Sequence, residues 1–215
     1  MTYLQIINNV LKRLRETEVS TFNETDYSAL IGAFVNDAKQ IVESSHSWSA
    51  LRTSIEFDTV SGTSEYSLTG AGQETEIRDA LNKTSNKRFN ARNRTYMNNV
   101  YHLRTPTSGP PTEFAFSGAD SNGDIQVKVY PQPDGIYSLL FDAFVPQAEL
   151  SNDSDKLKVP SNPVVQMAFA MALRERGETG GQSAAEQFAI ADSILADAIA
   201  FDANKYQEDT TFMAV

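Results

Sequence analysis

The sequence predicts an α+β fold: an antiparallel helical bundle from N- and C-terminal helix pairs, with an inserted antiparallel β-sheet or sandwich domain and a C-terminal tail. Apolar residues first recur with the 3.6-residue period of a helix, then alternate with a period of two, and finally return to helical spacing. The predicted boundaries are 1–50 for an N-terminal helical hairpin, 51–150 for the β domain, 151–203 for the C-terminal hairpin that completes the bundle, and 204–215 for the tail.

The first fifty residues predict two antiparallel helices. Their apolar positions are Tyr3, Leu4, Ile6, Ile7, Val10, Leu11 and Leu14 in the first helix, and Leu30, Ile31, Phe34, Val35, Ala38, Ile41 and Val42 in the second. Thr21 and Glu24 have the spacing of a capping box, so they predict the start of the second helix. His46 and Trp48 are expected to finish that helix and to pack where it meets the sheet.

The middle of the chain predicts an antiparallel β domain. Strand patterns occur in LRTSIEFDTV, EYSL, TEFAFSG, DIQVKVYP and YSLLFDAFVP. Asn122-Gly123 and Asp134-Gly135 are turn dipeptides, in which glycine accepts the positive φ that a tight hairpin requires. The segment from Ile77 to Leu103 shows no clear period.

Three glycines lie in the segment GETGG, between two helical patterns near the C-terminus. A phosphate-binding loop would need a preceding strand and a lysine after the last glycine, whereas here a helix precedes and Gln182 follows. We interpret the segment as a joint: Gly177 ends one helix, Gly180 and Gly181 turn the chain, and Ser183 with Glu186 caps an alanine-rich helix that runs to about Asp202.

Composition and motifs give no support for catalysis or for a bound cofactor. The chain has no cysteine, which excludes disulfides and thiolate chemistry, and its two histidines, His46 and His102, lack the spacing of a zinc site. The segment Asp120–Asp124 resembles the start of a calcium loop, but the positions of Gly123 and Pro131 do not match one, so we interpret it as a hairpin turn. No apolar run approaches the roughly 20 residues that span a membrane. We therefore predict no enzyme, cofactor or metal site.

The net charge of −10 argues against a protein that coats DNA, with one local exception. The segment NKTSNKRFNARNRTY carries Lys83, Lys87, Arg88, Arg92 and Arg94 and no acid. Such a run is commonly a solvated loop. The alternative is an electrostatic contact with an acidic partner surface or with passing DNA, and Lys87, Arg88, Arg92 and Arg94 are the candidate residues.

Several segments, in order, resemble the head-to-tail adaptors of short-tailed phages, also called tail tubular protein A or portal adaptors. They are YLQIINNVLKRLRETEV, YSALIGAFVNDAKQIVESSHSWSALR, TSIEFDTVSGTSEYSL, VKVYPQPDGIYSLLFDAFVP and VPSNPVVQMAFAMALRERGETGGQS. The resemblance implies a structural virion protein at the head–tail junction, made in the host cytoplasm, that forms a dodecameric ring. Its implied partners are the portal protein, the tail nozzle, and viral DNA that passes through the channel without specific binding.

Two further interpretations concern the tail and the aromatic residues. Phe212, Met213 and Val215 end a polar segment, and we expect them to bind the portal or a neighbouring subunit. An alternative function is a carbohydrate-binding or hydrolytic tail accessory protein, with a site formed by Tyr66, Phe114, Phe116, Tyr130 and Tyr137. These aromatics alternate along strands, however, and this pattern favours a place in the core. A nucleic-acid regulator would need a basic recognition helix, and only Lys12, Arg13 and Arg15 come close.

Overall fold

A computed structural model of the chain describes residues 1–177 and 182–205. The chain divides into two compact units, a helical unit that comprises Met1–Leu51 and the chain from Gln147 onward, and a β unit that comprises Arg52–Pro146. The described residues include five helices and two four-stranded sheets, which confirms the α+β class.

The described part of the helical unit contains four long helices: α1 (Tyr3–Arg13), α2 (Asp26–Ser44), α4 (Ser161–Arg176) and α5 (Gln182–Ala203). A single 3-10 turn, Ser49–Leu51, follows α2. Helix α4 packs against α1, α2 and α5. Most buried side chains of this unit come from α1, α2 and α4, although Ile41, a predicted apolar position of α2, is 42% exposed. The largest side chains that are fully enclosed are Trp48, Ile6, Ile7, Leu11, Ile31, Val10, Val35 and Val42.

The start of α2 differs from the prediction. The capping box is formed by Thr25 and Ser28, whose side chains each accept a hydrogen bond of 3.0 Å from the other residue's backbone N–H. The predicted pair, Thr21 and Glu24, lies in the preceding turn, where Glu24 accepts a hydrogen bond from the backbone N–H of Ser20. The prediction was wrong by four residues because serine can fill the role usually taken by Glu or Gln.

The glycine-rich joint is described only at its edges. Gly177 follows α4 with φ 64°, the left-handed conformation that commonly ends a helix, which confirms its predicted role. Gly180 and Gly181 lie outside the described residues. Because α5 begins at Gln182, Ser183 is already inside the helix and is not its capping residue, in contrast to the prediction.

The β unit contains eight strands and one short helix. They are β1 (Arg52–Asp58), β2 (Glu65–Ser67), β3 (Glu76–Asn82), β4 (Lys87–Arg88), β5 (Asn90–Ala91), α3 (Arg94–Asn98), β6 (Glu113–Ala119), β7 (Ile125–Tyr130) and β8 (Ser138–Phe144). Helix α3 continues into a π-helical turn, Asn99–Leu103. The strand orders are β1-β8-β3-β4 and β2-β7-β6-β5, and every pairing is antiparallel except β5 with β6. In the first sheet, Arg52 pairs with Phe144, at the points where the chain enters and leaves the unit.

Side chains from both sheets share one hydrophobic cluster. The rings of Phe114 on β6 and Phe141 on β8 meet edge to face, with 5.3 Å between their centroids. Leu139 and Val127, from the two sheets, are fully enclosed in the same cluster. The apolar residues of β1, Ile55 and Phe57, pack against it from the edge of their sheet.

The two predicted turns have different outcomes. Residues Asp120–Asp124 connect β6 to β7, and Gly123 has φ 86°, which confirms the hairpin interpretation. Oδ1 of Asp120 accepts hydrogen bonds from the backbone N–H groups of Asn122 and Asp124, at 2.8 and 3.0 Å. Gly135 does not adopt a positive φ. The connection before β8 spans residues 131–137, so it is not the two-residue hairpin that requires this conformation.

Candidate partner-binding surfaces

The predicted basic segment is divided between paired and unpaired cations. Nζ of Lys83 lies 2.5 Å from Oε1 of Glu56, and the guanidinium of Arg88 lies 3.1 Å from Oδ2 of Asp79. Within the described ranges, Lys87 and Arg94 are exposed and form no ion pair. Because exposed ion pairs are weak, the charge of this segment stays largely available to solvent.

Arg92 has a different environment from its neighbours. Its Nε and a terminal nitrogen donate hydrogen bonds of 2.9 and 2.6 Å to Oε1 of Glu113, a buried residue at the start of β6. The guanidinium also lies 5.0 Å from the ring centroid of Tyr96. Hydrogen bonding to Glu113 raises the pKa of both Arg92 and Tyr96 above their ordinary values. Arg92 therefore stabilises the β unit itself, a role that sequence reasoning missed because its partner lies 21 residues away.

A second, smaller cluster lies beneath α3 and the π-helical turn. Met97 and Val100 are buried against Ala115 of β6. Tyr101 donates a hydrogen bond of 2.6 Å to the carbonyl oxygen of Val129, and burial raises the pKa of this phenol to about 12. Nζ of Lys128 lies 4.6 Å from the centre of the same ring. These contacts fix the inner side of α3 and of the π-helical turn to the sheet. The outer side of this helical segment is therefore held in place as well.

Leu103 and Ile136 are the two most exposed of the large apolar side chains of the β unit. Leu103, at the end of the π-helical turn, is 78% exposed, and Ile136, in the connection before β8, is 74% exposed. The sequence did not single out either residue. Apolar surface with a polar rim commonly binds other proteins when the apolar area is extended by neighbouring copies or partners.

The aromatics proposed for a carbohydrate site do not form an open platform. Phe114 is buried, and Tyr66 and Tyr137 pack against the main cluster of the β unit. Tyr130 packs in the second cluster, against Tyr96 and Tyr101. Only Phe116, 49% exposed, departs from the predicted place in the core.

The helical unit has a cavity and two buried polar clusters. The cavity, of about 440 Å³, is lined by the α1–α2 loop and Arg176, which donates hydrogen bonds to the hydroxyl of Tyr27 and the carbonyl oxygen of Leu14. Nζ of Lys39 lies 3.2 Å from Oε2 of Glu43 and donates to the carbonyl oxygen of Gln147. The other cluster surrounds Asp202.

Asp202, on α5, connects the end of the described chain to the residues after α2. It accepts hydrogen bonds from the backbone N–H and the hydroxyl of Ser49, at 2.8 and 2.7 Å, and from Nζ of Lys205 at 2.9 Å. Burial alone would raise its pKa, but the hydrogen bonds from Lys205 and Ser49 lower the pKa below its ordinary value. His46 lies 3.4 Å from the same carboxylate, and Trp48 is buried and donates to the carbonyl oxygen of Val42.

The remaining candidate sites are a metal site, a membrane-spanning helix and the C-terminal tail. No group of three or more His, Asp or Glu side chains in the described part of the chain is arranged to hold a metal ion. None of the described helices is both long and apolar enough to cross a bilayer. Phe212, Met213 and Val215 lie outside the described residues. The features that remain are charged and apolar surfaces on a two-unit α+β scaffold, which are typical of a structural protein that binds other proteins.

Comparison with known families identifies the class. The model of the SU10 adaptor protein family matches residues 1–212, and the chain belongs to this family. This match confirms the resemblance to phage head-to-tail adaptors and assigns the chain a structural, adaptor role in a phage virion. No curated protein matches the chain.

Proposed function

We propose that the chain forms a ring that joins the portal to the tail nozzle and lines the channel through which DNA passes. The observation that carries this proposal is the adaptor family match over residues 1–212. In this proposal the ring is a dodecamer. The hairpins at 1–50 and 151–203 act as one bundle, the segment 51–150 forms an inserted β-sandwich, and residues 204–215 act as a contact tail.

The distribution of charge supports passage of DNA without binding. By sequence, the helical unit carries seventeen acids and nine cations, whereas the β unit carries eleven acids and nine cations. An acidic wall repels phosphate, so it does not retain DNA by counterion release. We therefore propose that the helical unit contributes the channel surface.

The basic segment is proposed as a contact with an acidic protein surface. Lys87 and Arg94 form no ion pair with a described residue, whereas Arg88 and Arg92 already have carboxylate partners, so Lys87 and Arg94 are the better candidates of the four. Neutralising Lys87 and Arg94 should weaken partner binding and reduce its salt dependence. Unchanged binding and salt dependence would exclude this contact.

The tail is proposed to bind the portal or a neighbouring subunit through Phe212, Met213 and Val215. Because Lys205 donates a hydrogen bond to Asp202, a truncation should keep this residue and remove only 206–215. The truncated protein should unfold at the same urea concentration as the full chain but fail to join portal-bearing particles. Normal joining would contradict the proposal.

The proposed function is tested by mixing the purified protein with DNA-filled heads that carry a portal but no adaptor, followed by electron microscopy. A new ring beneath the portal supports the proposal. If no ring forms and a saccharide raises the melting temperature of the protein, the accessory carbohydrate-binding alternative is favoured instead.

A further inference from the structure

Two segments of the chain have opposite and unmixed charge. Residues 80–112 contain six cations and no acid, and residues 177–204 contain five acids and no cation. The first segment belongs to the β unit and the second to the helical unit. Lys83, Arg88 and Arg92 have carboxylate partners within the β unit, so the cations left for another surface are Lys87, Arg94 and Arg104. The exposed charges of α5 are carboxylates, and this opposite sign favours contact between the two surfaces.

The acidic segment includes α5, an alanine-rich helix of which few residues are buried. Of its 22 residues, only Ala184, Ala191 and Asp202 are buried. Glu186, Ile190, Asp197 and Phe201 are exposed and follow each other at intervals of four, seven and four residues, which keeps them on one side of the helix. We call these four residues the α5 face.

The α5 face is unusual for a surface helix. Ile190 is 50% exposed and Phe201 is 71% exposed, and exposed alanines such as Ala189 and Ala200 lie beside them. A surface helix normally places its large apolar side chains toward the core and its polar residues toward solvent. In this helix, the only exposed charges among the described residues are carboxylates, so its partner should combine an apolar side chain with cations.

The β unit provides such a surface on the outer side of α3 and the π-helical turn. Leu103 is the most exposed large apolar side chain in the described chain. Arg94 and Arg104 are exposed at either end of this helical segment, and neither forms an ion pair with a described residue. We call Leu103 with these two arginines the Leu103 surface.

We propose that the α5 face of one copy binds the Leu103 surface of a second copy, a contact that rests on the ring assembly proposed above. Apolar contact of Ile190 with Leu103 would be flanked by pairs between Glu186 or Asp197 and the two arginines. Because the two surfaces differ, the contact is head-to-tail, and its repetition gives a ring when the rotation between neighbouring copies closes. The contact would also give the basic segment, which is the exception in this acidic chain, a binding partner on another copy of the same protein.

The absence of cysteine from the chain provides a direct test. Two single variants, Ile190→Cys and Leu103→Cys, are mixed and oxidised, both as purified protein and in head–tail particles assembled from the mixture. A disulfide between the two variants can only join different copies. The double variant Ile190→Cys/Leu103→Cys should give a ladder of covalent oligomers on a non-reducing gel. Ile136→Cys replaces Leu103→Cys in the control, because Ile136 is similarly exposed on the same unit but lies outside the cationic segment.

A charge exchange gives an independent readout. Glu186→Lys with Asp197→Lys, or Arg94→Glu with Arg104→Glu, should each abolish the ladder, and the combined four-residue exchange should restore it. Circular dichroism checks that each variant is folded. Absence of a ladder in both the purified and the assembled protein, or a ladder of equal yield with Ile136→Cys, would overturn the proposed contact.

The same particles separate this inference from the proposed function. If electron microscopy shows rings beneath the portal and no Ile190–Leu103 disulfide forms, the adaptor function stands and the contact is wrong. If the disulfide ladder forms in solution but no ring joins the portal, the contact stands and the portal-joining function is wrong.

Discussion

Asp202 accepts two hydrogen bonds from Ser49, one from its backbone N–H and one from its hydroxyl, across 153 residues of sequence. These bonds attach the end of α5 to the turn that immediately precedes the β unit. We expect Asp202→Ala to lower the free energy of unfolding by about 1–3 kcal/mol, because it leaves the partly buried donors of Ser49 without their acceptor.

The matched control is Asp197→Ala, in the same helix but exposed. Both substitutions introduce the same strong helix former, so the difference between their urea midpoints measures the buried hydrogen bonds. Equal midpoints would show that Asp202 contributes nothing to stability.

The contribution of Asp202 should also depend on pH. Its pKa is lower in the folded chain than in the unfolded one, so its stabilisation is fully present above the unfolded pKa, about 3.9, and is lost as the pH falls through the folded pKa. The difference in unfolding free energy between the wild type and Asp202→Ala should therefore shrink below about pH 4. A difference that stays constant down to acid unfolding would contradict the role of the charged carboxylate.

Lys39 and Glu43 form a buried pair, and the effects of substituting them on the free energy of unfolding should be strongly coupled. Both side chains are only 4% exposed, and burial raises the pKa of Glu43 in spite of the nearby lysine. Lys39→Met should destabilise the protein by about 3–5 kcal/mol at pH 7, because a buried carboxylate is left without its cation. The double variant Lys39→Met/Glu43→Leu should recover much of this loss in urea unfolding. Additive losses would show that the two side chains act independently.

Alanine substitutions of the cations in the basic segment should differ in their effect on stability. Arg92→Ala removes two hydrogen bonds that the buried Glu113 accepts, and it should lower the melting temperature. Lys87→Ala and Arg94→Ala remove exposed side chains and should change stability by less than about 0.5 kcal/mol. Thermal unfolding of the three variants tests this order. A loss for Arg94→Ala as large as that for Arg92→Ala would place Arg94 in the structural core of the unit.

Gly32 of α2 allows close approach of α1. A methyl group at this position would overlap the hydroxyl oxygen of Tyr3, which is buried. Gly32→Ala should therefore destabilise the protein by about 1–3 kcal/mol, although alanine favours the helix by up to about 1 kcal/mol. Adding Tyr3→Phe removes the overlapping atom and should restore stability, measured by urea unfolding. If the double variant is no more stable than Gly32→Ala, the hydroxyl is not the obstacle.

The sequence predicted the parts of the fold whose side chains have a regular period. In α1, Ile6, Ile7 and Val10 are buried as expected, and β7 alternates regularly between buried and half-buried residues. The region after Ile77 was not readable because β3 has an irregular register between Ile77 and Asp79, and β4 and β5 have two residues each. A period cannot be recognised over so few residues.

The surfaces were less predictable than the fold. The cationic run was visible in the sequence, but the pairing of Arg92 with Glu113 depends on the parallel register of β5 and β6, which juxtaposes Asn90 with Glu113. Likewise, the alanine-rich composition of α5 indicated a closely packed helix, whereas its exposed residues depend on how much of it α4 covers. Contacts between residues that are far apart in the sequence leave no local sequence pattern from which they could be predicted.

The pairing of Arg52 with Phe144 brings the two ends of the β unit together. Register partners in an antiparallel pair have Cα atoms about 5 Å apart, so the whole segment leaves and rejoins the helices across the span of a tight loop. A different β module with the same end spacing could replace this one without a change in either helix pair. The β unit is thus an insertion in the sequence of the helical unit, and its two ends pair with each other.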